Sequence, residues 1–398
     1  MASEIVNNHN KSQKTNYLLW FARLFTGLLF IFSGFIKAND PTGFGYKLEE
    51  YFHVFHLDAL NDYATTIAVV ICAFEIILGV WLLLGFYKRL VAWGLLLLII
   101  FFTFLTFYSA FFEVVTSCGC FGDAIPLTPW QSFGKDLVLL VLILIIFIYR
   151  NQINPLIKNS FSRGLLATVT AVISFGIGIY TVNYLPFIDF LPYKVGNNIP
   201  ALMVLPKGKE GDVYEQIYNM KNVKTGETKK ITDKIYMSEK VWEDTNWEII
   251  GEPESRLIKK GYQIPIPDLL ITDAEGNDHT QEIINNPYYN LIIVAKDLSK
   301  SNIDAIEKIN KIATTLTESY NLRIVLLTAS SSEESDYLSD KLHLISEVFY
   351  ADLIPLKSMV RANPGILLLK SGTVINKWHY NSFPEAKEIE DQYLSLDK

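Results

Sequence analysis

The sequence predicts a helical membrane domain followed by a water-soluble α/β domain. Half of the 398 residues are hydrophobic and the mean hydropathy is +0.22, which excludes a disordered chain. The charges are unevenly distributed: residues 1–185 carry 11 Lys/Arg and 10 Asp/Glu, whereas residues 186–398 carry 24 and 32. The first part is therefore apolar and nearly neutral. The second part is acidic, which gives no indication of nucleic-acid binding.

Five apolar segments are long enough to cross a lipid bilayer, which requires about 20 residues per helix. They are residues 17–36, 63–86, 90–112, 133–149 and 164–184. The first segment is followed by Lys37-Ala38-Asn39-Asp40 rather than by a small-residue cleavage site. We therefore interpret it as a membrane span and not as a signal peptide.

Basic residues indicate the orientation, because cytoplasmic loops of membrane proteins are enriched in Lys and Arg. They occur in the N-terminal tail, the second loop and the fourth loop, as Lys11, Lys14, Lys88, Arg89, Arg150, Lys158 and Arg163. The first and third loops are acidic or neutral. We expect a multi-pass protein of the inner (cytoplasmic) membrane, with a cytoplasmic N-terminus and a periplasmic C-terminal domain.

Arg23 and Glu75 are the ionisable residues that we assign to the interior of the spans. Charged side chains in hydrocarbon are costly and usually find a partner. The first two spans run antiparallel, and a rise of about 1.5 Å per residue places these side chains at similar depths. We expect an ion pair that pins the bundle, with a polar element beside a quinone or a proton path as the alternative. Cys72 lies one turn before Glu75 and is interpreted as a small core residue.

The third loop contains the triplet Cys118-Gly119-Cys120. Gly119 permits the tight turn that a bridge between the two cysteines requires, and such a strained disulfide is easily exchanged. One interpretation is a redox-active dithiol that exchanges disulfides with a partner. The other is a static disulfide, or two free thiols. Three cysteines and scattered histidines are too few for a disulfide framework or a zinc site, so we expect no metal.

Several short stretches of the membrane half resemble one known family. They are Arg23-Leu-Phe-Thr-Gly27, Phe32-Ser-Gly-Phe-Ile-Lys37, Asp40-Pro41 with Phe44, Cys118-Gly-Cys-Phe-Gly122 and Leu127-Thr-Pro129. Over residues 17–150 the chain resembles the DoxX-like superfamily, and within it the MauE (methylamine utilisation) branch. The resemblance implies a four-helix membrane bundle that assists disulfide formation or maturation of a periplasmic protein. Quinone-linked members of the superfamily make a quinone the candidate cofactor.

The expected organisation has five parts. Residues 1–15 are a cytoplasmic tail, and residues 16–150 are the four-helix DoxX-like membrane domain. The loop and fifth span occupy 151–186. An extracytoplasmic linker region follows at 187–254, with strands near 215–220 and 247–250, and an α/β domain occupies 255–398. The fifth span and the C-terminal domain are absent from the basic family, so the resemblance does not supply a substrate.

From residue 289 the pattern alternates between strands and helices. Apolar runs of strand length occur at 291–295, 323–328 and 348–350, with helical spacing at 303–320 and 331–341 between them. A hairpin follows Pro364, with its turn at Gly372. This order resembles the thioredoxin fold, and the resemblance implies a cis-proline at Pro364.

The same resemblance implies a Cys-x-x-Cys motif after the first strand, but residues 297–301 contain no cysteine. Thiol–disulfide exchange requires a thiolate, so the domain cannot perform that chemistry itself. We expect it to act as a docking module that holds a client near Pro364, with a structural cap as the alternative.

The sequence therefore leads to two hypotheses about function. In the first, Cys118 and Cys120 exchange disulfides with an unidentified envelope protein outside the lipid bilayer. In the second, the protein is a non-enzymatic membrane scaffold or assembly factor with a structural disulfide. A transporter is disfavoured, because the spans show no inverted repeat.

Overall fold

The computed structural model describes residues 16–115, 119 and 121–395. The N-terminal part comprises α1 (Tyr17–Asn39), α2 (Pro41–Val54), α3 (Ala64–Leu84), α4 (Lys88–Phe112), α5 (Pro129–Tyr149) and α6 (Ser160–Asn183). All of these except α2 are long and apolar enough to cross a membrane. The five predicted spans are thus confirmed, and α2 is an additional helix in the first loop.

Local sequence explains where two of these helices begin. The Thr128 hydroxyl accepts a hydrogen bond from the Gln131 amide, and the Gln131 side chain accepts one from the Thr128 amide. This capping box, with Pro129 at the first helical position, starts α5. The Asp40 carboxylate accepts a hydrogen bond from the Gly43 amide at 2.8 Å and starts α2.

Glycines allow α1 and α3 to approach closely. A Cβ added to Gly27 would lie 2.5 Å from the Leu83 side chain, and one added to Gly79 would lie 2.8 Å from the Gly27 carbonyl oxygen. Small residues at such a contact allow two membrane helices to pack backbone to backbone. Cys72 of α3 is fully buried among other core side chains, which confirms the prediction that it is a core residue.

A small antiparallel sheet lies within the region expected as a linker. This region forms α7 (Ile199–Leu202), β1 (Val213–Asn222), β2 (Thr228–Thr232), α8 (Asp233–Ser238), β3 (Trp247–Ile249) and β4 (Glu254–Lys259). The central strand β1 pairs with β2, β3 and β4. The expected strands near 215–220 and 247–250 are therefore confirmed, and the expected boundary between 254 and 255 falls inside β4.

The C-terminal domain has the strand order predicted for a thioredoxin-like fold. Its elements are α9 (Thr280–Ile284), β5 (Tyr289–Val294), α10 (Ile303–Ser319), β6 (Leu322–Thr328), α11 (Ser332–Leu342), β7 (Glu347–Tyr350), α12 (Leu353–Met359), β8 (Gly365–Lys370), β9 (Thr373–His379) and α13 (Ala386–Ile389). The sheet order is β7-β6-β5-β8-β9, with β5, β6 and β7 parallel and the β8–β9 hairpin antiparallel. Helices cover both faces and form two hydrophobic cores.

The C-terminal domain packs on the end of the bundle that carries α2. The Thr181 hydroxyl at the end of α6 donates to the Ala38 carbonyl at 2.7 Å. The Asn39 amide group donates to the Ile188 carbonyl at 2.7 Å. Because these bonds fix the chain as it leaves α6, they place the domain over the α1–α2 corner.

Candidate functional site

Cys118 and Cys120 lie outside the described residues, but their neighbours define the surroundings of the loop. Gly119 has φ +67° and its carbonyl oxygen accepts a hydrogen bond from the Gly122 amide at 3.0 Å. Positive φ is the conformation that glycine adopts at little cost. The expected turn at Gly119 is therefore present in the backbone.

The loop borders a large cavity between the two domains, which we call the interdomain cavity. Its volume is about 570 Å³. Gly119, Gly122 and Asp123 line it from the loop, residues of α2 line it from the bundle, and Ile354, Lys357 and Ser358 line it from α12. This volume lies in the range of about 300–1,000 Å³ that is typical of binding pockets.

Ion pairs across the domain boundary hold the walls of this cavity. Arg361 pairs with Asp40 at 2.7 Å and with Asp123 of the loop at 2.9 Å, and Lys357 pairs with Glu49 at 2.9 Å. We call these five residues the interdomain network. Arg361, which lies two residues after the end of α12, is buried and bonds to both the bundle and the loop. It therefore connects the three walls of the cavity, which are the loop, the bundle and the C-terminal domain.

Tyr46 of α2 inserts between cationic side chains of the C-terminal domain. The Lys357 ammonium lies 4.0 Å from the ring centroid, and the Lys296 ammonium donates to the Tyr46 hydroxyl at 2.8 Å. Burial, with smaller contributions from Arg361 and Lys357, lowers the pKa of Lys296 to about 7. Burial also raises the pKa of Asp123, although Arg361 opposes this effect.

The Asn363–Pro364 peptide bond is cis, which confirms the expectation for Pro364. The adjacent Asn363 side chain donates to the Asp297 carbonyl at 2.9 Å, so the segment without the Cys-x-x-Cys motif lies beside the proline as predicted. Pro364 is buried, however, and Lys300 of that segment pairs with Asp62 of the bundle at 3.0 Å. This face of the domain is thus turned toward the bundle, and the expectation that a client binds near Pro364 stays a prediction.

The expected Arg23–Glu75 ion pair is wrong. Arg23 donates to the carbonyls of Leu82 and Leu83 at 2.8 and 2.6 Å. The carbonyls at the C-terminal end of α3 lack partners within the helix and attract a cation. Glu75 instead pairs with Lys37, because α1 continues beyond its predicted end and brings Lys37 into the bundle.

Two further ionisable residues in the bundle were missed from the sequence. Lys135 and Asp136 lie one to two turns into α5 and pair at 2.7 Å, and Thr106 of α4 donates to Asp136 at 3.0 Å. With Lys37 and Glu75 they form what we call the bundle cluster. Lys135 and Asp136 both lie inside a predicted span, six and seven positions after Pro129. The sequence alone therefore shows that two ionisable residues lie within this span.

The bundle cluster surrounds a small cavity beneath the loop. Its volume is about 20 Å³, and Ser33 and Phe121 complete its walls. Phe121 directly follows Cys120, and the Lys135 ammonium lies 5.2 Å from its ring centroid. A cavity of this size holds about one water molecule, whereas small-molecule pockets enclose about 300–1,000 Å³. A quinone ring does not fit here.

The loop therefore separates two polar environments. Gly119, Gly122 and Asp123 face the interdomain cavity, while Phe121 faces the bundle cluster. Among the described residues, no group of three or more His, Cys, Asp and Glu side chains is placed to hold a metal ion.

Comparisons with known proteins agree with this division of the chain. Residues 15–149 match the family described as methylamine utilisation protein MauE. The N-terminal region is a MauE family domain, and the protein is a multi-pass membrane protein. Protein TlpB of Flavobacterium psychrophilum is 27% identical over 166 residues, which cover 40% of this chain and 44% of TlpB. The match thus spans less than half the length of that relative.

Two solved structures are similar to a third of the chain. One is a cysteine-to-serine mutant of PrxQ from Xylella fastidiosa, with 12% identity and a TM-score of 0.25 over 33% of this chain and 89% of that chain. The other is the bacterioferritin comigratory protein of Xanthomonas campestris, with 15% identity and a TM-score of 0.23 over the same shares. The thioredoxin-like assignment is based on the strand order described above.

Proposed function

We propose that this protein exchanges disulfides with an envelope protein client through Cys118 and Cys120, on the periplasmic side of the inner membrane. The observation that carries the proposal is the interdomain cavity, which Gly119, between the two cysteines, lines directly. A cavity of about 570 Å³ beside the pair can admit a segment of a client.

The chemistry is thiol–disulfide exchange. A client thiolate attacks one sulfur of the Cys118–Cys120 disulfide, forms a mixed disulfide and releases the other cysteine as a thiolate. A second client thiolate then attacks the mixed disulfide. The client loses two electrons and two protons as its disulfide forms, and the Cys118–Cys120 pair gains them. The cavity beneath the loop is too small for a quinone ring.

The C-terminal domain acts in this proposal as a fixed wall of the client site rather than as an independent docking module. It contains no cysteine, and its Pro364 is buried. Ile354 and Ser358 of α12 line the interdomain cavity and also border a second, more apolar pocket of about 530 Å³. A client chain that enters the first cavity therefore has an apolar surface beside it.

Mass spectrometry of alkylated native membranes tests the proposal. Free thiols are blocked before lysis, and we expect a Cys118–Cys120 bridge in part of the population. In a Cys120→Ala variant we expect the reverse step to stop at a mixed disulfide, because the Cys118 thiolate attacks the disulfide of an oxidised client, releases one client thiolate and has no Cys120 to resolve the product. A Cys72→Ala variant is the matched control, because Cys72 is buried in the bundle and should leave both products unchanged. Absence of both the bridge and the mixed disulfide from oxidised membranes would exclude the exchange function.

A membrane scaffold or assembly factor is the second candidate function. The observation that favours it is the small sheet, on which Tyr214 and Leu257 lie opposite each other on paired strands and expose 52% and 46% of their surfaces. Exposed apolar side chains that lie together often mark protein-binding surfaces. Full complementation in cells by a Cys120→Ser variant would favour this function over disulfide exchange.

A further inference from the structure

The second pocket, beside the interdomain cavity, is lined by four prolines, and we call it the proline-lined pocket. Its volume is about 530 Å³, and the prolines are Pro192, Pro265, Pro267 and Pro355. Proline has no backbone N–H group and a fixed φ angle, so these walls are apolar and stiff. The volume lies in the range of about 300–1,000 Å³ that is typical of binding pockets.

Three separate segments of the chain form the walls of this pocket. They lie within residues 192–193, 265–269 and 352–358. Buried Lys377 joins the first segment to the third, because its ammonium group donates to the carbonyls of Tyr193 at 3.5 Å and Met359 at 2.9 Å. Backbone hydrogen bonds of 2.9 and 2.8 Å between Thr272 and Tyr350 hold the second segment beside the third. The fold thus forms the pocket in advance, which reduces the entropic cost of binding.

Tyr193 is the buried polar side chain of this pocket. Only 1% of the residue is exposed, and its hydroxyl has no hydrogen-bond partner among the residues that the structure describes. Burial raises the pKa of Tyr193, so its hydroxyl stays neutral and can donate a hydrogen bond. A buried hydroxyl without a partner is costly, and a ligand that supplies an acceptor therefore gains affinity.

Two exposed carboxylates, Asp268 and Asp352, line the same pocket. Within the described parts of the chain neither forms an ion pair, whereas Asp40 and Asp123 of the interdomain network both pair with Arg361. Asp352 directly precedes α12, but its side chain does not cap the helix. Both carboxylates are thus free to bind a cation, and a complementary ligand carries a positive charge.

The proline-lined pocket is continuous with the proposed client site. Ile354 and Ser358 line both the pocket and the interdomain cavity. They are four residues apart on α12 and therefore lie on the same face of the helix. A chain that lies in the interdomain cavity reaches the pocket across this one helical turn.

We propose that the proline-lined pocket binds a segment of the client in which apolar side chains flank a lysine or an arginine. The apolar side chains fill the pocket, a carbonyl of the segment accepts a hydrogen bond from the Tyr193 hydroxyl, and Asp268 and Asp352 bind the cation. The inference rests on the proposed exchange function and names the class of client sequence that the protein selects.

Peptide binding to the full-length protein in lipid nanodiscs tests the inference. The protein carries Cys118→Ser and Cys120→Ser, so that binding is measured without exchange chemistry. The probes are two short fluorescent peptides of equal length, in which two leucines flank either a lysine or a glutamate. We expect fluorescence anisotropy to show tighter binding of the lysine peptide, and a photoreactive leucine in that peptide to label residues 265–269 and 352–358.

Variants of the pocket separate the contributions of its polar groups. Asp268→Asn and Asp352→Asn should each weaken binding of the lysine peptide about two- to fivefold, without weakening that of the glutamate peptide. Tyr193→Phe keeps the ring and removes the hydroxyl, so both peptides should bind about two- to tenfold less tightly. Asp336→Asn on α11, which packs on the opposite face of the sheet, is the matched control and should have no effect. Equal thermal midpoints show that each variant is folded.

Equal affinity for the two peptides would overturn the inference, as would unchanged binding of the lysine peptide in the Asp268→Asn/Asp352→Asn double variant. Labelling of the pocket by a photoreactive lipid that the lysine peptide does not displace would overturn it too, because the occupant would then be an acyl chain. Failure of the exchange function gives a different result: the lysine peptide binds, but native membranes contain neither the Cys118–Cys120 bridge nor a mixed disulfide.

Discussion

The bundle cluster and the interdomain network both contain buried ion pairs, but their surroundings differ. Lys37 and Glu75 lie on two helices long and apolar enough to cross a membrane, and they expose 2% and 3% of their side chains. In the interdomain network, Arg361 exposes 6%, while its partners Asp40 and Asp123 expose 18% and 50%. Removal of one charge therefore leaves a dehydrated partner in the bundle and a partly hydrated partner between the domains. The same type of contact should thus have different energetic consequences at the two places.

Replacement of Lys37 by Met should give the largest effect. Glu75 would remain buried without its cation, at a cost of about 3–5 kcal/mol in the free energy of unfolding. The double variant Lys37→Met/Glu75→Gln should recover most of this loss, because neither side chain then carries a charge. Thermal unfolding of the purified protein in one detergent measures all three forms. A single variant as stable as wild type would show that water already reaches the cluster.

Removal of the Arg361 side chain should have a smaller and more local effect. In Arg361→Gln, Asp40 and Asp123 lose a cation but gain water, so we expect domain docking to weaken by about 2–3 kcal/mol while the bundle stays folded. A photo-crosslinker in place of Ile354, which lines the interdomain cavity, reports docking through its yield of products with α2. Arg256→Gln on the exposed strand β4 is the matched control. An unchanged crosslinking yield in Arg361→Gln would show that other contacts between the two domains are sufficient for docking.

The two networks also differ in how far the sequence predicts them. The spans and the strands of the C-terminal domain follow from local periodicity, which is why both were recognised. Lys37 was placed outside the bundle because the apolar pattern ends at Ile36, although helical geometry continues to Asn39. The capping of α3 by Arg23 depends on where a neighbouring helix ends, and hydropathy does not show this.

Local sequence patterns do not predict the interdomain network. Arg361 and Asp40 are 321 positions apart, and Lys357 and Glu49 are 308 apart. Their pairing results from docking of the whole domain, to which α2 contributes one face. The residues of α2 belong to the first loop, which was described only by its acidic residues, including Glu49 and Glu50, and not as a helix. The cysteine loop was recognised from its residues, but the cavity beside it requires both domains.

The smallest of the expected effects is a pH dependence of the same interface near neutral pH, and it arises from Lys296. Burial beside Arg361 and Lys357 lowers its pKa to about 7, whereas a lysine in water has a value of 10.5. Asp40 and Glu49 oppose this shift only in part. Separation of the domains would hydrate Lys296 and restore its ordinary pKa, so the docked form binds fewer protons than the separated form between about pH 7 and pH 10.5.

Docking should therefore strengthen as the pH rises from about 7, by at most about tenfold in the docking equilibrium per pH unit. Below pH 7 the lysine is protonated in both forms, and its contribution no longer changes. The crosslinking yield at the Ile354 position is measured from pH 6 to pH 9 in the Arg361→Gln background, in which docking is incomplete. Burial, the largest cause of the lowered pKa, remains there, while loss of Arg361 moves the onset of the effect to higher pH, so the yield should still increase along this range. Lys296→Met should abolish the increase, since Met does not titrate and fills a similar volume. A pH dependence that persists in Lys296→Met would instead place the titrating group elsewhere in the interface, where burial also raises the pKa of Asp123.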